Sequence, residues 1–162
     1  MKLLLPNNVM RKMRFHMLRA GRREIGGLIM GEELSEQTFR LVDFSVDSIS
    51  GTRSSFVRDD KQHERALSNF FEKTGANYRR FNYLGEWHTH PSFSVHPSSQ
   101  DIHAMQDLVS CSGDVNFAVL FIAKLKWYWR FEACAYLFVR EHLPSPVELI
   151  HESKAFLNYG IK

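Results

Sequence analysis

The chain has 162 residues, 44% of them hydrophobic and 24% charged, with a formal net charge of +3. These are ordinary globular proportions and exclude a wholly disordered chain; they predict one domain spanning residues 1–162. The longest apolar run, Val115–Ala123, contains Asn116 and meets Lys124, far short of the roughly 20 residues a membrane helix needs.

The opening Met1–Leu5 meets Pro6, Asn7 and Asn8 at once, too early for a secretory signal. Residues Asn7 to Ala20 place Val9, Met13, Met17 and Ala20 at helical spacing, with Gly21 just beyond, and predict a helix. Residues 1–30 hold seven basic side chains against one acidic, Glu24. Such a segment would suit nucleic acid or an acidic protein partner, but a solvated helix face also accounts for it, and no nucleic-acid reading motif is present. Ile25–Met30 is a short apolar run containing Gly26 and Gly27, which predicts a strand closely approached by another backbone. Phe39–Val46 alternates with the period of a strand, and a further strand is expected near Ser54–Val57. Asp59 or Asp60 would cap a helix bearing Leu67, Phe70, Phe71 and Thr74 on one face and ending at Gly75.

Phe81–His90 reads as a strand stopped by Pro91, and Ser98–Val109 as a helix with Ile102, Met105, Leu108 and Val109 on one side. Val115–Ala123 and Tyr128–Val139 follow as two long strands joined near Lys124–Trp127. Pro144 and Pro146 are expected to precede a final amphipathic helix carrying Val147, Ile150 and Phe156–Leu157. This order predicts an α/β or α+β fold, a sheet flanked by helices. Cys111 and Cys134 form no Cys-x-x-Cys pair, so neither a disulfide framework nor a cysteine zinc site is expected, and the protein is expected to be cytoplasmic.

Three of the eight histidines fall between positions 88 and 96. On a strand, residues two apart share a face, so His88 and His90 present both imidazoles to one point. A third ligand must come from another element, because three successive positions on one strand face are nearly collinear. Asp101, at a helix start after the turn from Ser92 to Pro97, can supply it. Two imidazoles and one carboxylate leave a fourth tetrahedral position open, as in a catalytic rather than a structural zinc site. Zn²⁺ would bring the pKa of water to about 7 and make hydroxide available. Such chemistry also needs a non-ligand carboxylate from a neighbouring strand as proton acceptor, and benefits from a donor to the developing oxyanion, for which Ser98 is placed. Ser98-x-x-Asp101 is equally a capping-box pattern, and the two roles are compatible.

His88-x-His90-Pro91 followed by Ser98-x-x-Asp101 resembles the signature of the JAMM (JAB/MPN-type) zinc metallopeptidases. The family's early glutamate, ahead of a small-residue stretch ending in glycine, is matched by Glu24-Ile25-Gly26-Gly27-Leu28-Ile29-Met30-Gly31. The resemblance implies His88, His90 and Asp101 as zinc ligands, Glu24 as general acid/base and Ser98 as oxyanion-stabilising hydroxyl. It also implies a mixed curved sheet with flanking helices, and peptide or isopeptide hydrolysis. The chain departs from the family at Glu86, where aromatic or aliphatic residues are common, and at Thr89, where serine is commoner. Glu86 is therefore a rival for the base, or a partner orienting a ligand histidine; His96 is expected to face water.

Ser55–Asp59, Gln62-His63, Phe70-Phe71 and Tyr78–Phe93 resemble a narrower bacterial subgroup, the JAB-type deconjugating peptidases of CBASS antiphage operons. That resemblance implies removal of a conjugate by cleavage just after the C-terminal residue of a cGAS-like nucleotidyltransferase (CD-NTase). Two alternatives remain: processing of a ubiquitin-like or sulfur-carrier precursor, and an inactive MPN-type binding scaffold. For a protein substrate with an extended C-terminal tail, the expectation is a groove beside the metal in which the tail pairs with a sheet edge, Gly26-Gly27 leaving room.

Overall fold

A computed structural model describes residues 1–47, 60–111, 115–127 and 129–152. In chain order the elements are β1 (Lys2–Pro6), α1 (Asn7–Ala20), β2 (Gly26–Ser35), β3 (Thr38–Phe44), α2 (Asp60–Lys73), β4 (Phe81–Thr89), α3 (Ser99–Cys111), β5 (Phe117–Lys126), β6 (Arg130–Val139), β7 (Ser145–Pro146) and β8 (Glu148–Glu152). The eight strands form one mixed sheet in the order β7-β6-β5-β4-β2-β3-β1-β8, flanked by the three helices. The pairs β1–β3, β1–β8 and β4–β5 are parallel and the others antiparallel. The expected class, a mixed sheet with flanking helices, is the one observed.

Local chemistry sets the first helix. Pro6 stands at its N-cap, and Gly21, at φ 64°, closes it with its N–H donated to the Met17 carbonyl. Val9, Met10, Met13 and Met17 are buried on its inner face, each such side chain contributing about 1.5–3 kcal/mol relative to exposure. They join Leu3, Leu5, Ile29, Leu41, Trp87 and Phe121 in one core on that side of the sheet. A second core packs Met105 and Val109 of α3 against Ala118, Leu120, Ile122 and Phe138. Consecutive residues of β5 thus enter different cores, as the strand period requires.

Two features depart from the sequence-based expectation. The segment after Pro146 is the strand β8, not a helix: Leu149 and Ile150 lie opposite Leu3 and Leu4 in a parallel pair. Pro146 belongs to the edge strand β7, where its missing N–H costs no ladder bond, so it marks a sheet edge instead of a helix start. Val147 follows with its N–H bonded to the Ala135 carbonyl. Phe156–Leu157, which made the segment look amphipathic, lie outside the described residues, as does the strand expected near Ser54–Val57. The opening Leu3-Leu4-Leu5 forms β1, an interior strand between β3 and β8. Glu32 extends β2 beyond the apolar run; its buried carboxylate accepts from Arg80 Nε at 2.7 Å and lies 3.5 Å from Arg40 Nη1.

Candidate active site

The metal-binding candidates hang on β4 and the first turn of α3. Trp87 turns into the core beneath α1, where it is fully buried and donates its indole N–H to the Ser45 carbonyl at 2.8 Å. Its neighbours His88 and His90 therefore face the other side of the sheet. Gly85 sets the approach of β4 to β5: it has φ 149°, and a Cβ there would collide with the Val119 backbone. Gly26 lies against Trp87 and His88, and Gly27 against Ser45. The close backbone approach expected of Gly26 and Gly27 is thus present, but strands fill the space, leaving no room there for substrate.

His88 Nε2 and His90 Nε2 stand 3.0 Å apart. Asp101 reaches both from α3, with Oδ1 3.4 Å from His88 Nε2 and Oδ2 3.6 Å from His90 Nε2. One ligand atom from each of the three residues lies within 4.8 Å of the others, a spread from which all three can reach one ion with Zn–N and Zn–O bonds of about 2.0–2.2 Å. His90 Nδ1 lies 2.7 Å from the Ser94 carbonyl. A carbonyl can only accept, so Nδ1 carries the hydrogen, and in the neutral ring Nε2 presents its lone pair toward His88. Two ring nitrogens at that separation need a proton or a cation between them. The nitrogen, nitrogen, oxygen donor set suits a divalent transition ion, and among the described residues it is the one group of three or more such side chains placed to hold a metal.

Electrostatics follows the same geometry. Burial alone would raise the Asp101 carboxyl, but hydrogen bonds from His88, His90 and Ser98 outweigh it and hold the group well below the usual carboxylate range. The bond to Asp101 raises His90 above the usual imidazole value, against burial. Glu24, buried just before β2, is raised chiefly by burial, with the imidazoles of His88 and His90 opposing and Asp101 reinforcing the shift.

Ser98 and Asp101 form the reciprocal cap that their spacing suggested. The Ser98 N–H and O–H both donate to Asp101 Oδ2 at 2.7 Å, and the Asp101 N–H donates to Ser98 Oγ at 3.2 Å. The carboxylate is thereby fixed at the positive end of α3. The hydroxyl's single proton is committed to Asp101 in this arrangement and must rotate away to serve an oxyanion.

Glu24, Glu86, His88, His90, Ser98 and Asp101 all line one cleft of about 700 Å³, which His96 and Phe93 border. His96 is exposed, as expected, with Nδ1 3.3 Å from the Tyr136 hydroxyl, and it is not among the grouped metal-binding candidates. Phe93 is exposed and meets the His90 ring edge-on, 6.4 Å between centroids.

Sequence reasoning treated Thr89 only as a departure from the family pattern and missed its contacts. Its N–H donates to the Ile25 carbonyl at 2.9 Å, and its Oγ1 accepts the buried Ile25 N–H at 3.0 Å. The residue between the two histidines therefore fixes the backbone next to Glu24. The structure narrows where a tail could pair with a sheet edge. Along the histidine stretch β4 is bonded to β2 on one side and β5 on the other, with His88 opposite both Gly26 and Ile122, so it has no edge to offer.

A family described as prokaryotic homologs of the JAB domain matches residues 6–132. The chain is 34% identical over 94 residues to the 26S proteasome regulatory subunit rpn11 of Schizosaccharomyces pombe, covering 56% of this chain and 30% of that protein. It is 30% identical over 114 residues to the CD-NTase/cGAS isopeptidase of Enterobacter hormaechei subsp. hoffmannii, covering 68% of this chain and 59% of that one. The chain thus spans less than two thirds of the length of either relative. In three dimensions it is similar to the solution structure of protein DSY2949 from Desulfitobacterium hafniense, with a TM-score of 0.68 at 18% identity over 94% of each chain. The chain belongs to the JAB/JAMM-type family.

Proposed function

We propose that this member of the JAB family is a zinc-dependent isopeptidase acting on a protein conjugate. The observation that carries the reading is the convergence of His88, His90 and Asp101 within one cleft that also holds the buried Glu24. His88, His90 and Asp101 would hold the ion, and the Ser94 carbonyl would orient His90. When bound, zinc supplies Lewis acidity to the scissile carbonyl and makes water acidic enough to act as a nucleophile.

Glu24 accepts a proton from the attacking water as the new C–O bond forms, then passes it to the nitrogen as the C–N bond breaks. A carboxyl raised by burial is better matched to giving that proton back than a solvated one. Ser98, turned from Asp101, donates to the developing oxyanion. Glu86 borders the same cleft, but Glu24 is the base in this reading because it occupies the family's glutamate position and its carboxyl lies within the field of the three ligands.

For the substrate we favour a conjugate in which the C-terminal tail of a CD-NTase is joined to a target amine, as in CBASS antiphage defence. The likeness to the Enterobacter isopeptidase supports this over trimming of a ubiquitin-like or sulfur-carrier precursor. The presence of all five motif residues weighs against an inactive scaffold. The tail would lie extended in the cleft without adding a strand to β4. The test is to incubate the protein with a CD-NTase–target conjugate, with and without a chelator. The expected result is release of the intact CD-NTase, abolished by chelation and restored by zinc. Cleavage that survives complete metal removal or Glu24→Ala overturns the mechanism, and cleavage of a precursor but not of the conjugate overturns the substrate.

A further inference from the structure

Behind the loop that follows His90 lies a second cleft of about 440 Å³, between the end of α1 and the β5–β6 turn. Its walls include Leu18, Arg22, Arg23, Lys124 and Trp127, together with Pro91 and Ser92 of the loop after His90, and no carboxylate lines it among the described residues. Lys126 lies over the Trp127 ring, 4.8 Å from its centroid. Trp127 and Trp129 are 62% and 68% exposed and stack 6.3 Å apart with their planes 29° from parallel. Leu18, which lines the cleft with Trp127, is 53% exposed.

Neither packing nor the turn itself calls for this indole. Trp127 has φ 53°, a left-handed conformation that a bulky residue adopts with strain and glycine adopts freely. An exposed, strained aromatic among cations is a typical ligand-contacting arrangement. The loop after His90 stands between this cleft and the metal site: Pro91 and Ser92 line the cleft, Lys124 donates to the Phe93 carbonyl at 2.9 Å, and the Phe93 ring stands against His90.

We propose that this cleft binds an acidic peptide segment carrying an apolar residue, the part of the protein substrate that flanks the scissile bond. The assignment to a substrate flank rests on the isopeptidase reading; the binding itself does not. Arg22 and Lys124 pair with the carboxylates, and the Leu18–Trp127 wall receives the apolar side chain. A strand of nucleic acid is the poorer fit, since one short cleft with three lining cations lacks the long basic groove that follows a strand of about 4–16 nucleotides.

The test uses the full chain and a fluorescein-labelled Asp/Glu-rich decapeptide with one central leucine, followed by fluorescence anisotropy. The protein should bind this peptide and not its lysine counterpart, with affinity falling as salt rises. Arg22→Glu and Trp127→Gly should each weaken binding about tenfold or more, a loss typical of a buried aromatic or charged anchor. Trp127→Gly should keep or raise the melting temperature, which separates lost contact from lost fold. Equal binding by the wild-type and both variants overturns the proposal, as does tighter binding of an oligo-dT of the same length. Binding abolished by a chelator also overturns it, since the peptide would then occupy the metal cleft. Groove-dependent binding in a protein that cleaves no conjugate upholds the groove while the isopeptidase reading fails.

Discussion

Replacing Thr89 by valine removes one oxygen and almost no volume, so it isolates the bond between Thr89 Oγ1 and the Ile25 N–H. That bond is buried. Leaving a buried N–H unsatisfied costs about 1–3 kcal/mol. For a chain of this length each kcal/mol moves the melting temperature by about 2–4 °C, so Thr89→Val should lower it by about 2–12 °C. Thr89→Ser keeps the oxygen and loses one methyl, at about 0.8 kcal/mol, and should be the milder change. The two variants should differ more in hydrolysis than in stability, because Ile25 fixes the backbone that presents Glu24. Differential scanning calorimetry, conjugate cleavage and hydrogen exchange at the Ile25 amide measure the three effects. A Thr89→Val protein with unchanged melting temperature and full activity, or one more stable than Thr89→Ser, would refute the clamp.

Glu24→Gln keeps shape and removes the proton acceptor, so turnover should fall about 10²–10⁴-fold while zinc content by mass spectrometry stays at the wild-type level. His90→Ala or Asp101→Ala should instead lose the metal, and added zinc should raise the melting temperature of the metal-free wild type but not of these variants; zinc at a hundred times its dissociation constant corresponds to about 2.7 kcal/mol. Cys134, whose thiol burial pushes up to about 11, donates to the Val95 carbonyl, whereas Cys111 is exposed. Because the thiolate is the reacting form, iodoacetamide should label the exposed Cys111 first at about pH 8, and Cys134 only as the protein unfolds. Gly85→Ala should be poorly soluble or unfolded, since it adds both a collision with Val119 and an unfavourable φ; circular dichroism of the purified variant checks this.

What the sequence made legible was local. α1 begins and ends as expected because Pro6 and Gly21 punctuate it, and the pairing of His88 with His90 follows from the two-residue period of a strand. Asp101 could be added because a capping box fixes a carboxylate at a helix start, and the same cap here turns that carboxylate toward the imidazoles. The strands β1 and β8 were not legible, because each is five residues long and gains its stability from the other across most of the chain. Thr89 was missed for the same reason. Its partner Ile25 lies 64 residues away, and nothing in a His-Thr-His triplet indicates where the hydroxyl points. The two kinds of information meet in the cleft. The candidate ligands are written in short-range spacing, whereas the placement of Glu24 depends on β2 pairing with β4 in one register. A slip by one residue would turn His88 and His90 into the core beneath α1 and bring Trp87 to the metal face. Trp87, fully buried and bonded to Ser45, holds that register against the slip, so its loss should scatter His88 and His90 even though it does not line the cleft.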